Sequence, residues 1–171
     1  LEGQFEDLNG DGRITADDRY RTNFPDARIF LGFNTTFTYK KWSLGTVLRA
    51  NLGNYVYNNV RSNLGTLNAV NPNGQFNQNI HRGYFDTEFT GRTTNENLRF
   101  LSDLYLEDAS FLRMDNLNLG YNFGKVLKGK VGLTANFLIQ NVFVATKYTG
   151  LDPEVAGGID NNFYPRPRIY S

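Results

Sequence analysis

Between residues 29 and 40 apolar and polar side chains alternate. Ile29, Leu31, Phe33, Phe37 and Tyr39 fall on one face, and Gly32, Asn34, Thr36, Thr38 and Lys40 on the other. A period of two is that of a β-strand with one apolar face. The pattern resumes in opposite phase with Trp42, Leu44, Leu48, Ala50 and Leu52 set against Ser43, Gly45, Arg49, Asn51 and Gly53, so Lys40-Lys41 is a tight turn. A third segment places Leu117, Leu119, Tyr121 and Phe123 against Asn116, Asn118, Gly120 and Asn122. A fourth, reached through 124–130, places Val131, Leu133, Ala135, Phe137 and Ile139 against Gly132, Thr134, Asn136 and Gln140. Strands are therefore expected over about 29–40, 42–53, 108–123 and 130–141, with a fifth starting in 167–171. Residues 54–107 and 142–166 are left as long loops, and 1–28 as a further loop.

Length separates a membrane sheet from a soluble one. The segments run to about 10 to 12 residues, against about 5 or 6 for a typical globular strand and about 9 to 11 for a tilted strand that crosses a bilayer. The connections alternate short and long, the arrangement of periplasmic turns and extracellular loops in outer-membrane barrels. Tyr39 and Trp42 flank the first short turn and Tyr121 and Phe123 lead into the second, where an aromatic girdle belongs. The fold class expected is all-β, made of antiparallel transmembrane β-barrel strands with long extracellular loops. Five strands are fewer than the eight or so that close a small barrel. An open sheet of this kind would leave unpaired edges and a wide apolar face in water, so the segment belongs to a larger wall.

Composition removes most other functions. Eighteen Lys and Arg stand against 17 Asp and Glu, a net charge of +1, and the mean hydropathy is −0.47. Nucleic-acid binding through counterion release needs a concentrated basic excess, which this balance lacks. Without Cys there is no disulfide framework, thiolate nucleophile or Cys-type zinc site, and His81 is the one histidine. No apolar run approaches the roughly 20 residues of a transmembrane helix. The start Leu1-Glu2-Gly3-Gln4 has no signal-peptide character, which suggests a mature piece or a fragment. No nucleophile elbow, P-loop or dinucleotide fingerprint is present. Glu107-Asp108 are strand neighbours pointing to opposite faces, unable to flank one bond as glycosidase carboxylates do. The chain is read as no enzyme.

The loops carry two candidate sites. In 54–107, Tyr55, Tyr57, Phe76, Tyr84, Phe85 and Phe89 lie among many Asn residues. They could stack on sugar rings, pack on a neighbouring protein, or anchor the loop to itself. In 1–28, the run from Asp7 to Asp18 fits the D-x-[DN]-x-[DN]-G calcium pattern: Asp7, Asn9 and Asp11 offer side-chain oxygens, Gly12 the turn, Arg13 its carbonyl, and Asp18 the twelfth position. Asp in place of the EF-hand Glu makes the loop dockerin-like, and a bound Ca2+ would be structural. The competing reading is a pair of turns, Asn9-Gly10 and Asp11-Gly12, without an ion. A soluble calcium-dependent carbohydrate-binding or adhesion β-domain built around this loop is the alternative to the barrel, and partition between detergent and buffer separates the two.

The run from Ser102 to Tyr121, SDLYLEDASFLRMDNLNLGY, closely resembles the C-terminal signature of SusC/RagA-type TonB-dependent transporters. The stretches KYTGLDPEV at 147–155, GGID at 157–160 and YPRPR at 164–168 resemble the same family's last external loop, and DLNGDG at 7–12 ahead of Pro25 occurs there too. The resemblance implies a place in the outer membrane, within a barrel of about 22 strands filled by an N-terminal plug. It also implies a SusD-like surface lipoprotein as lid, energy from TonB through the plug, and uptake of oligosaccharides or peptides. Asn34, Thr36, Arg49, Asn51, Asn118, Asn122, Asn136 and Gln140 would then face the lumen and plug, and the opposite face outer-membrane lipid. Against a full member the sequence lacks the plug, the TonB box, most of the strands and a terminal aromatic after Ser171.

Overall fold

The computed structural model describes residues 5–65, 70, 74, 79–85, 102–161 and 164–171. The strands are β1 (Ile29–Tyr39), β2 (Trp42–Leu52), β3 (Tyr55–Asn58), β4 (Leu106–Asp108), β5 (Phe111–Val126), β6 (Val131–Thr146), β7 (Ile159–Asp160) and β8 (Ile169–Tyr170), with one short helix, α1 (Asn59–Leu64), after β3. They form a five-stranded antiparallel sheet in the order β1-β2-β5-β6-β8 and a small sheet in the order β4-β3-β7. The fold is all-β, and no helix among the described residues is long and apolar enough to cross a membrane.

Register makes the large sheet two-faced. Leu31, Ala50, Leu112 and Ala145 lie in one row across the strands, Phe33, Leu48, Met114 and Phe143 in the next, and Phe37, Leu44, Leu119 and Phe137 further down. Because paired residues share a face, the apolar halves of four strands join into one surface, and most of its large side chains are exposed, with Leu48 and Met114 half-buried. The 11 residues of β1 and of β2 extend about 36 Å, which at the usual barrel tilt makes an apolar band about 25 Å tall. At its lower margin Tyr39 pairs with Trp42 and Trp42 with Tyr121. The Trp42 and Tyr121 ring centroids are 4.6 Å apart, and those of Tyr121 and Phe123 4.7 Å.

β5 and β6 are each 16 residues long: β5 starts three residues later than the expected 108–123 and runs three residues past it, and β6 runs five residues past the expected 130–141. Breaks in the alternation caused the shortfall. Gly124, at φ +78°, sits where the register shifts between Asn122 and Gly124, and Asn141, at φ +54°, sits opposite the shift between Met114 and Asn116. Both are bulges, which re-aim a strand without ending it, so the hairpin runs on to the Val126–Val131 pair below and to Thr146 above. At the other end Asp108 Oδ1 accepts from Ser110 N–H at 2.8 Å, a local turn that hands Leu106–Asp108 to the small sheet and starts β5 at Phe111.

The outer loops are structured where described. β3 pairs with β4 antiparallel and with β7 in parallel, gathering the first long loop and the last onto one unit. Its core is Val56, Ala109 and Tyr148 with Val155 against them. Among its described residues, 5–28, the N-terminal segment has a one-turn helix at Ala16–Asp18, capped by Thr15, before Arg28 N–H bonds to the Leu52 carbonyl and leads into β1.

Candidate functional site

The polar face of the sheet carries its chemistry at the end nearest the small sheet. Arg49, on β2, donates through Nε to Asp115 Oδ2 at 2.6 Å and forks both terminal nitrogens onto the Glu154 carboxylate at 2.8 Å each. Arg113, on β5, donates to Asp152 Oδ1 at 2.6 Å and to Asn141 Oδ1 at 2.9 Å, with 1% of its side chain exposed. Arg166 reaches Glu154 at 2.9 Å. Both strand guanidiniums lie over the Phe111 ring, at 5.8 and 5.5 Å. The strand supplies both signs on one face because Asp115 lies two residues from Arg113, the partner of Arg49, and the bulge beside it puts Asn116 on that face as well. Two arginines of the wall thus hold Asp152 and Glu154 of the 149–168 loop, and Asn141 Nδ2 ties down the Arg166 carbonyl at 2.6 Å. The Arg49 hydrogen bonds, with its charge and those of Arg166 and Arg113, hold the Glu154 carboxyl below the usual glutamate range against the opposing effect of burial.

A second network joins the two outer loops. Glu107 on β4 accepts from Thr149 N–H at 2.9 Å, Asn58 Nδ2 at 3.1 Å and Arg61 Nη1 at 3.3 Å. Tyr148 donates its hydroxyl to Asp160 at 2.6 Å, and burial first, then that carboxylate, push its ionisation well above the ordinary tyrosine value. Between these groups Asn58, Arg61, His81, Thr149 and Asp160 line a cleft of about 250 Å³. His81 Nδ1 accepts from Gly83 N–H at 2.9 Å. These are positioning interactions that shape an outer surface.

Of the loop aromatics, Tyr57 packs edge-on against Tyr105 and Tyr84 against Phe85. Tyr84 is buried, while Phe85 is exposed. Tyr55 is half-buried on β3. Phe76 and Phe89 lie outside the described residues. The lumen-side set expected from the sequence falls on one face: Asn34, Asn116 and Gln140 share a row, as do Thr36, Gly45 and Asn118. The alternating pattern singles out Arg49 but not Arg113, Asp115, Asp152, Glu154 or Arg166. The one signal for the others is that Arg113 and Asp115 sit in a strand otherwise poor in charge.

The 7–18 loop is closed by its own amides. Asp7 accepts from the N–H groups of Gly10 at 2.7 Å, Asp11 at 3.2 Å and Gly12 at 2.7 Å. Asp18 reaches back to Leu8 N–H at 2.9 Å and Thr15 N–H at 2.7 Å. The Thr15 bond is the largest cause of a lowered Asp18 pKa. Asn9 and Asp11 accept from Asp11 and Arg13 N–H. Gly10 and Gly12 take φ of +75° and +76°. The donors are the hard oxygens calcium prefers, yet among the described residues no three acidic or histidine side chains gather tightly enough to hold an ion.

Comparison with known proteins places this geometry. No family model matches the chain. The TonB-dependent receptor SusC of Bacteroides thetaiotaomicron is 36% identical over 174 residues, covering 99% of this chain, and the TonB-dependent receptor P3 of Formosa agariphila is 30% identical over 161 residues, covering 92%. The solved RagAB peptide importer in its closed-closed state superposes with a TM-score of 0.71 at 27% identity, over 92% of this chain and 18% of that one. The chain spans only 17% and 16% of the lengths of the two receptors. Relatives so named, matched over nearly the whole chain, displace the soluble calcium-dependent module and agree with the absence of catalytic motifs. With its apolar band, aromatic margin and polar inner face, the chain is a β-barrel segment of a SusC/RagA-type TonB-dependent receptor of the outer membrane.

Proposed function

We propose that this segment forms wall and outer loops of a nutrient importer that takes up oligosaccharides or peptides with a SusD-like surface lipoprotein and energy from TonB. The observation that carries the reading is the match to the RagAB peptide importer over 92% of the chain. In this reading Arg49 and Arg113 fix the 149–168 loop to the inner wall, so that the outer surface meets lid and cargo in one shape. The test is removal of the gene from the source bacterium, with uptake of labelled oligopeptides and oligosaccharides measured. Loss of one class of cargo, restored by the intact gene only when TonB is present, together with a lipoprotein co-purifying in detergent, is expected. Unchanged uptake of both classes overturns the reading.

The Asp7, Asn9, Asp11, Arg13 and Asp18 loop is proposed to bind Ca2+ structurally, which rests on its oxygen donors and on the spacing that its amide bonds already respect. Calcium would supply order and no chemistry. Adding millimolar Ca2+ to chelator-treated receptor should protect this loop from proteolysis, and Asp7→Ala should abolish the protection. Equal cleavage with and without the ion refutes the site.

A further inference from the structure

Charge is segregated along the strand axis. Every lysine of the chain except Lys147 lies at the two short turns: Lys40 and Lys41 between β1 and β2, and Lys125, Lys128 and Lys130 around the turn between β5 and β6. No Asp or Glu occurs in 27–85 or in 116–151, so these turns have no acidic neighbour in sequence. The first turn lies against β5, where Trp42 pairs with Tyr121 and the Lys41 carbonyl accepts from Asn122 N–H at 2.8 Å, and β5 continues from there past Lys125 into the second turn. All five lysines are exposed, and among the described residues every Lys or Arg ion pair is made by an arginine, towards the opposite end of the sheet.

We propose that the short-turn rim binds the phosphate headgroups of anionic phospholipids in the leaflet it borders. Lys40 and Lys41 sit directly below the Tyr39, Trp42, Tyr121 and Phe123 aromatic margin, with Lys125, Lys128 and Lys130 further along the β5–β6 hairpin on the same side, and such a girdle marks headgroup level. Lys40 Nζ lies 5.3 Å from the Tyr39 ring centroid, which holds one ammonium at that level. The other stems are long enough to run along the apolar surface with the charge at the interface. Lysine fits this setting because a compact, mobile point charge follows a fluid phosphate layer, whereas the fork of arginine suits the fixed carboxylates at the other end. The inference rests on the barrel fold and not on the importer reading.

The experiment uses the intact receptor in phosphatidylcholine vesicles doped with spin-labelled phosphatidylglycerol or, separately, spin-labelled phosphatidylcholine. The ratio of their association with the barrel is measured, and heat-modifiable gel mobility certifies the folded barrel. A preference for phosphatidylglycerol of about fivefold is expected, the factor that one ammonium near an anionic surface supplies. It should fade as salt shortens the Debye length. Replacing Lys40, Lys41, Lys125, Lys128 and Lys130 together by Gln should bring the ratio close to one, while Lys147→Gln leaves it unchanged. If the variant with all five changes does not assemble, Lys40→Gln with Lys41→Gln, and the other three separately, should each lower the ratio in part. Parity in the unaltered receptor, or a preference that survives in folded variants, overturns the proposal, and neither result bears on cargo uptake.

Discussion

Arg113 is the residue on which the outer loop most depends. Its guanidinium is 1% exposed and bonds to Asp152 and Asn141. Removing one partner of a buried ion pair strands the other charge in a poor solvent, at about 3–5 kcal/mol. Arg113→Ala should therefore lower the unfolding midpoint of the receptor and open the 149–168 loop to protease, while Asn34→Ala on the same face should do neither. Tyr148→Phe removes a hydroxyl donor bonded to the buried Asp160 and should cost about 1–3 kcal/mol. Acid acts on Glu154. Its folded pKa is lowered, chiefly by Arg49, so its contribution is complete above the unfolded value of about 4.3 and is lost as the pH falls through the folded value. Limited proteolysis of the loop across pH 6 to about 3 should show protection falling in that window, and Glu154→Gln should already be cleaved at neutral pH.

At the level of elements, bulges decide how far β5 and β6 run and put Asn116 on the polar face beside Asp115. Gly120 shows how closely these strands approach on the polar face: a Cβ there would run into the side chains of Ser43 and Asn136. Gly120→Val should therefore push β2 and β6 apart locally and reduce the yield of folded barrel, whereas Gly32→Ala, with open space around it, should assemble normally. Gel mobility before and after heating reads both. The alternation in 29–53 marks the β1–β2 hairpin to within a residue at each end, because every side chain there obeys the pleat. The β5–β6 hairpin escapes because its bulges change the phase of the pattern without ending hydrogen bonding.

For the whole molecule, lipid is the solvent of one face and the lumen that of the other. Leu119, paired with Leu44 and Phe137 inside the apolar band, should tolerate Arg poorly. A cation near the bilayer midplane costs about 2–4 kcal/mol, so Leu119→Arg should lower the assembled fraction in the outer membrane. Asn118→Arg, one residue away and facing inwards, should assemble close to normally.

Sequence alone determined what depends on period and length: all-β strands, their two faces, the short turns, the aromatic margin and a wall too small to close on itself. The signature from Ser102 to Tyr121 determined the family. Tertiary structure alone decided what depends on partners far apart in the chain. Asp152 and Glu154 read as ordinary loop acids until the sheet brings Arg113 and Arg49 beneath them, 39 and 105 residues away. Asn-rich loop sequence has little periodicity of its own, and β3 exists because β4 and β7 arrive from elsewhere to pair with it. Local pattern encodes which face meets lipid, since each residue's environment there is set by its own strand. Ion pairs and small sheets need two segments to meet, and only the folded chain specifies which two.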